Sequence, residues 1–122
     1  MVNRIEIAKE FIQEQLKKRD DIIGAWVCGS VARGEETEFS DIDLGLIVEG
    51  DFEEIKRDGL DPWRDGIYID GGFISKKNYE DTEKILQNPF SATHMNVALI
   101  LYDPSGFLTR IQKEVRAVFM QP

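Results

Sequence analysis

Apolar residues recur at two different periods along this chain, and the switches between them outline its elements. Ile5, Ala8, Ile12 and Leu16 fall three to four residues apart, with Lys, Arg, Glu and Gln between them. That spacing predicts an amphipathic helix ending near Arg19, with a turn at Asp20-Asp21. Ile22–Cys28 is a contiguous apolar and β-branched run, which predicts a buried strand stopped by Gly29-Ser30. Residues 31–39 are polar and suit a short helix or loop, and Ile42–Val48 reads as a second buried strand.

Beyond it, residues 51–58 suggest a short helix, opened by the acidic run Asp51-Phe52-Glu53-Glu54. Residues 59–65, with Asp61-Pro62, form a turn-rich connection. Residues 67–74 predict a third strand in which Gly71-Gly72 marks a bulge or a close approach. A helix over 78–87 is stopped by Asn88-Pro89, and residues 96–102 read as another strand. In the last segment Asp103 can cap, Pro104 suits a first helical position, and Leu108, Ile111, Val115 and Val118 form an apolar stripe. This alternation predicts an α/β or α+β fold with helices packed on a sheet. The 122 residues fit one domain, residues 1–122, without internal repeat or low-complexity tract.

Composition narrows the partners. The chain is 42% hydrophobic, enough for one core, and carries a net charge of −8. Such a surface repels polyanions, which argues against an unaided nucleic-acid binder, although a bound divalent cation reverses the sign locally. Cys28 is the single cysteine, so no internal disulfide forms. The charged, amphipathic segment over residues 1–10 lacks a signal peptide's apolar core, and no apolar run approaches a membrane span. The expectation is a soluble, cytoplasmic protein.

Three features carry chemistry. Asp41 and Asp43 sit at the entrance of the second strand, where residues two apart point to the same face. Their Cβ atoms are then about 6.5 Å apart, from a rise near 3.3 Å per residue. Two carboxylates at that spacing can lean onto one Mg²⁺, and without a cation each raises the other's pKa. Gly29-Ser30, at the end of the first strand, allows a phosphate to approach the backbone, and Ser30 adds a hydroxyl. Arg33 follows three residues later, with a planar fork suited to phosphate or carboxylate. Asp70, in the third strand, supplies a further acid, and Asp65 competes for that place. A cradle, an arginine and paired acids meet the needs of phosphoryl transfer, where positioning and charge neutralisation do most of the catalysis.

The stretch Cys28-Gly29-Ser30-Val31-Ala32-Arg33-Gly34 through Ser40-Asp41-Ile42-Asp43-Leu44 resembles the signature of the DNA polymerase β-like nucleotidyltransferase superfamily. It is closest to the minimal and the antibiotic nucleotidyltransferases, whose pattern is Gly-Ser, about ten residues, then Asp-x-Asp. Here ten residues separate Ser30 from Asp41. The resemblance implies a mixed sheet with helices packed on it, and transfer of NMP, AMP by preference, from an NTP to a hydroxyl with loss of pyrophosphate. Asp41, Asp43 and Asp70 would hold two Mg²⁺ ions, with Mn²⁺ an acceptable substitute. Gly29, Ser30 and Arg33 would hold the nucleotide's phosphates.

The resemblance leaves the acceptor open. In a minimal nucleotidyltransferase paired, antitoxin-like, with a small helical protein it would be a side chain of that partner. In an antibiotic-type enzyme it would be a small hydroxylated molecule. Those enzymes carry a helical domain after the core, so the acceptor wall would come from another subunit, such as a homodimer partner, or the sequence is a fragment. The rival class is a non-catalytic nucleotide sensor. Four further residues carry plainer expectations: Cys28 as a buried small hydrophobe, His94 as a loop residue rather than a ligand, Trp63 as a loop aromatic, and the stripe from Leu108 to Val118 as core.

Overall fold

A computed structural model describes residues 3–37 and 40–119. Residues 1, 2, 38 and 39, at the margins of two of the segments read above, lie outside that range. The first helix, α1 (Arg4–Lys18), leads into β1 (Ile22–Cys28), a single helical turn α2 (Gly29–Ala32) and β2 (Ile42–Val48). A short strand β3 (Trp63–Arg64) hairpins into β4 (Ile67–Ser75), followed by a 3-10 turn (Lys76–Tyr79). Then come α3 (Thr82–Gln87), α4 (Pro89–Val97), β5 (Leu99–Tyr102) and α5 (Phe107–Phe119). The strands form one mixed sheet in the order β3-β4-β2-β1-β5, with β2 and β4 parallel and the other pairs antiparallel. The α/β reading with a mixed sheet is correct.

Strand alternation sends side chains to two cores. Ala25, Val27, Ile42, Leu44, Leu46 and Val48 face α1 and pack on Ile7, Ala8, Phe11 and Ile12. Trp26, Ile47 and Ile74 face the other way, onto Ile85, Met95, Leu108, Ile111 and Val115 of α3, α4 and α5. Each fully buried large side chain of this kind contributes about 1.5–3 kcal/mol. Two layers of them hold the sheet rigid while its ends carry polar groups. The α1 stripe is rotated from the expected one. Its centre includes Arg4 and Gln15, both buried, while Ile5 and Leu16 lie on the flank. Arg4 is buried because its Nε donates to the Ser40 carbonyl at 2.9 Å, which ties the start of α1 to the residue before Asp41.

Several expectations fail for physical reasons. Residues 51–58 form no helix. They return along the edge of β4, where Lys56 exchanges two backbone hydrogen bonds with Phe73 (3.0 and 2.7 Å), and Asp51 pairs with Lys77 at 2.6 Å. An unpaired strand edge outcompetes an eight-residue helix, whose nucleation is costly. Asn88-Pro89 ends α3 but also begins α4, with Pro89 as its first residue, so the strand expected from residue 96 starts at Leu99. Helix 78–87 is split into the 3-10 turn and α3. Asp103 does cap α5, accepting from Leu108 N at 3.0 Å and Thr109 N at 2.8 Å, but Pro104 precedes the helix. Val118 is exposed rather than core.

Gly71 resolves as a close approach, with no bulge, since β2 and β4 run in unbroken register from Ile42↔Ile69 to Val48↔Ser75. Its φ of +156° disfavours other residues, and a Cβ there would drive into the Leu44 carbonyl. Because the obstacle is backbone, Gly71→Ala should lower stability by about 2–4 kcal/mol. Chemical denaturation measures this; a loss under about 1 kcal/mol would show that the β2–β4 spacing yields.

Candidate active site

The acids are gathered by register. Asp43 pairs across β2–β4 with Asp70 and across β1–β2 with Cys28, so all three sit at one end of the sheet beside the turn into α2. Gly29 (φ +70°) must be glycine, since a Cβ would collide with Asp43 Oδ2. The Gly-Ser turn and the second acid of Asp-x-Asp are therefore in direct contact. Asp41 lies one residue before β2 and is exposed. Its loop is set by Ser40, whose hydroxyl accepts from Thr37 N at 2.9 Å. Asp65 is carried away from the acids. With φ +52° it forms, with Gly66 (φ +78°), the two-residue turn of the β3–β4 hairpin. Trp63 is an exposed strand residue, its ring 5.1 Å edge-on from Tyr68.

Asp43 and Asp70 open onto a cavity of about 470 Å³ whose walls also include Trp26, Ile55, Arg57 and Tyr79. On its α4 side stand Ser91, His94 and Met95. Trp26 fits because its β2 partner is Gly45, where a Cβ would come 2.5 Å from the indole ring. Burial pushes the Tyr79 hydroxyl up to about 12, so it stays protonated. His94 corrects its sequence reading: it is on α4, in the cavity wall, and its charge favours ionised Asp43. Arg57 is the residue the sequence reading missed. Its Nη2 lies 3.8 Å from Asp70 Oδ1. Arg33, by contrast, turns its Nε to Glu35 at 3.1 Å and does not line the cavity. Cys28 is buried, its thiol reaches the His94 carbonyl at 3.5 Å, and burial raises its pKa, so it is an inert wall rather than a nucleophile.

Burial first, then the neighbouring charge of Asp70, pushes the Asp43 carboxyl up; His94 opposes them, and Asp41 (upward) and Arg33 (downward) act more weakly. The carboxylate oxygens of Asp43 and Asp70 suit a hard divalent cation, which would compete with the Arg57 guanidinium 3.8 Å from Asp70. Among the described residues, no three His, Cys, Asp or Glu side chains close on a common point. Asp43 and Asp70 stand side by side, and Asp41 would have to turn toward them.

Asp43 takes up its proton at a higher pH in the folded chain than in the unfolded one. Between those two pH values the folded chain binds more protons, so stability falls as pH rises through the window and stays reduced above it. Asp43→Asn removes the penalty. The variant should melt above wild type at neutral pH, with the advantage shrinking as pH falls toward the ordinary Asp value of 3.8. Identical melting curves at both pH values would show that the carboxylate carries no such cost.

The model of the nucleotidyltransferase domain family matches residues 6–116. No curated protein matches the chain by sequence. A solved structure from Sulfolobus solfataricus, of a protein proposed to be a nucleotidyltransferase, is 16% identical, covering 81% of this chain and 79% of that one at a TM-score of 0.48. A toxin–antitoxin structure with AMP-PNP is 12% identical, covering 91% and 86% at a TM-score of 0.48. No helix among the described residues is long and apolar enough to cross a membrane. With the family's pattern running through almost the whole chain and the Gly-Ser turn seated against Asp43, the chain belongs to the nucleotidyltransferase domain family.

Proposed function

We propose that this domain transfers a nucleoside monophosphate, AMP by preference, from an NTP to a hydroxyl acceptor. The observation that carries the reading is the pairing of Asp43 with Asp70 beside Gly29, which sets two carboxylates against a turn open to phosphate. In the reaction the acceptor oxygen bonds to the α-phosphorus, the bond from that phosphorus to the β-phosphate's bridging oxygen breaks, and pyrophosphate leaves. The acceptor's proton passes to Asp70, directly or through water. Two Mg²⁺ ions on Asp41, Asp43 and Asp70 would supply charge neutralisation at the attacking and leaving oxygens. Gly29 and Ser30 present backbone N–H groups and a hydroxyl to the distal phosphates, with Arg33 swinging from Glu35 to join them. The cavity is large enough for a nucleoside or for part of an acceptor. Its walls of Trp26, Ile55, Tyr79 and Met95 suit an uncharged, flat group.

Calorimetric titration with ATP should show binding that needs Mg²⁺ and disappears in EDTA and in the Asp41→Ala/Asp43→Ala double variant. Absence of binding to ATP and to every other NTP would remove the enzymatic reading. Asp70→Asn separates enzyme from sensor. We expect transfer, once an acceptor is in hand, to fall by about 10²–10⁴-fold, the range for losing a proton acceptor, while Mg²⁺-dependent nucleotide binding largely survives. Undiminished transfer would take Asp70 out of the mechanism.

A further inference from the structure

Arg57 reaches the acids through a strap of chain, residues 55–57, that the fold builds at some cost. The two backbone hydrogen bonds between Lys56 and Phe73 fasten it to the edge of β4. Gly72 lies under it, and a Cβ there would come 2.5 Å from the Lys56 carbonyl, 2.9 Å from Ile55 Cγ2 and 3.1 Å from Arg57 Cγ. The glycine thus lets the strap lie flat on the cavity face of β4, two residues from Asp70. Ile55 and Arg57 both become cavity wall, and Arg57 is the only Lys or Arg among the lining residues.

A 3.8 Å pair with Asp70, both side chains about half exposed (55% and 52%), contributes little to stability, so it does not explain the arrangement. A guanidinium fork held beside Asp70 in the cavity wall has a stronger use. It can give up Asp70 and grip a phosphate with charge-assisted hydrogen bonds. We propose that Arg57 is a nucleotide-binding residue that contacts the α-phosphoryl group, the one transferred, while the Gly29-Ser30 turn takes the distal phosphates. This rests on the nucleotidyl-transfer reading of the site. It adds a phosphate contact on the side of the cavity opposite α2, from a loop outside the Gly-Ser and Asp-x-Asp signature.

The test compares ligands that differ only in the α-phosphate. Binding of AMP and of adenosine in EDTA, followed by ligand-observed NMR to millimolar concentrations, is measured for wild type, Arg57→Gln and Arg57→Lys, alongside Mg²⁺-ATP by calorimetry. Matching thermal melts of the three proteins confirm that an exposed strap residue has been changed without loss of fold. We expect Arg57→Gln to weaken AMP by about 10- to 100-fold, the worth of charged hydrogen bonds, to leave adenosine unchanged, and Arg57→Lys to recover part of the loss. If wild type binds Mg²⁺-ATP yet discriminates AMP from adenosine no better than Arg57→Gln does, the role of Arg57 is overturned and the reading of the site stands. If wild type binds no nucleotide under any condition, both fall together.

Discussion

The parallel pairing of β2 with β4 is held by residues that take no part in chemistry. Ile42 faces Ile69 across the ladder, Leu46 faces Phe73 and Ile47 faces Ile74. Because side chains alternate with a period of two, a one-residue slip of β4 would send Asp70 into the apolar layer under α1. Burying an unpaired carboxylate there costs several kcal/mol, on top of removing Ile69 and Phe73 from the core they fill. The same packing that stabilises the sheet thus forces Asp43 and Asp70 together, against their repulsion. The raised pKa of Asp43 reflects its burial first and that repulsion second. A site of this kind is stabilised by whatever cation it receives.

Much of this was legible because β1 and β2 are continuous apolar runs bounded by turn residues, which leaves little freedom in their ends. Both strands have the predicted limits, Ile22–Cys28 and Ile42–Val48, and the Gly-Ser and Asp-x-Asp elements fall at their adjoining ends. The Asp65-Gly66 pair is a hairpin-turn signal present in the sequence, and it takes Asp65 into the β3–β4 turn while Asp70 stays in register with Asp43.

What stayed hidden depends on contacts distant in sequence. Residues 51–58 have an ordinary helical composition, and only the free edge of β4 draws them into an extended path, so Arg57 could not be placed from the sequence alone. The segment Pro89–Val97 shows little amphipathic periodicity, with Ser91, Thr93, His94 and Asn96 scattered through it. It is a helix because both of its ends are supplied with partners. Asn88 and Pro89 begin it, and α5 closes it.

That closure is made by two side chains of α5. Buried Gln112 donates to the carbonyls of Met95 (3.1 Å) and Ala98 (2.6 Å), and Arg116 donates to Asn96 at 2.9 Å, satisfying carbonyls that a helix end leaves without intrahelical partners. Since α4 carries Ser91, His94 and Met95, this wall of the chamber is held by the last helix as well as by the sheet. The acids and the chamber beside them can therefore drift at different rates in evolution. Substitutions along α5 would reshape what the chamber admits while leaving the carboxylates where the sheet put them.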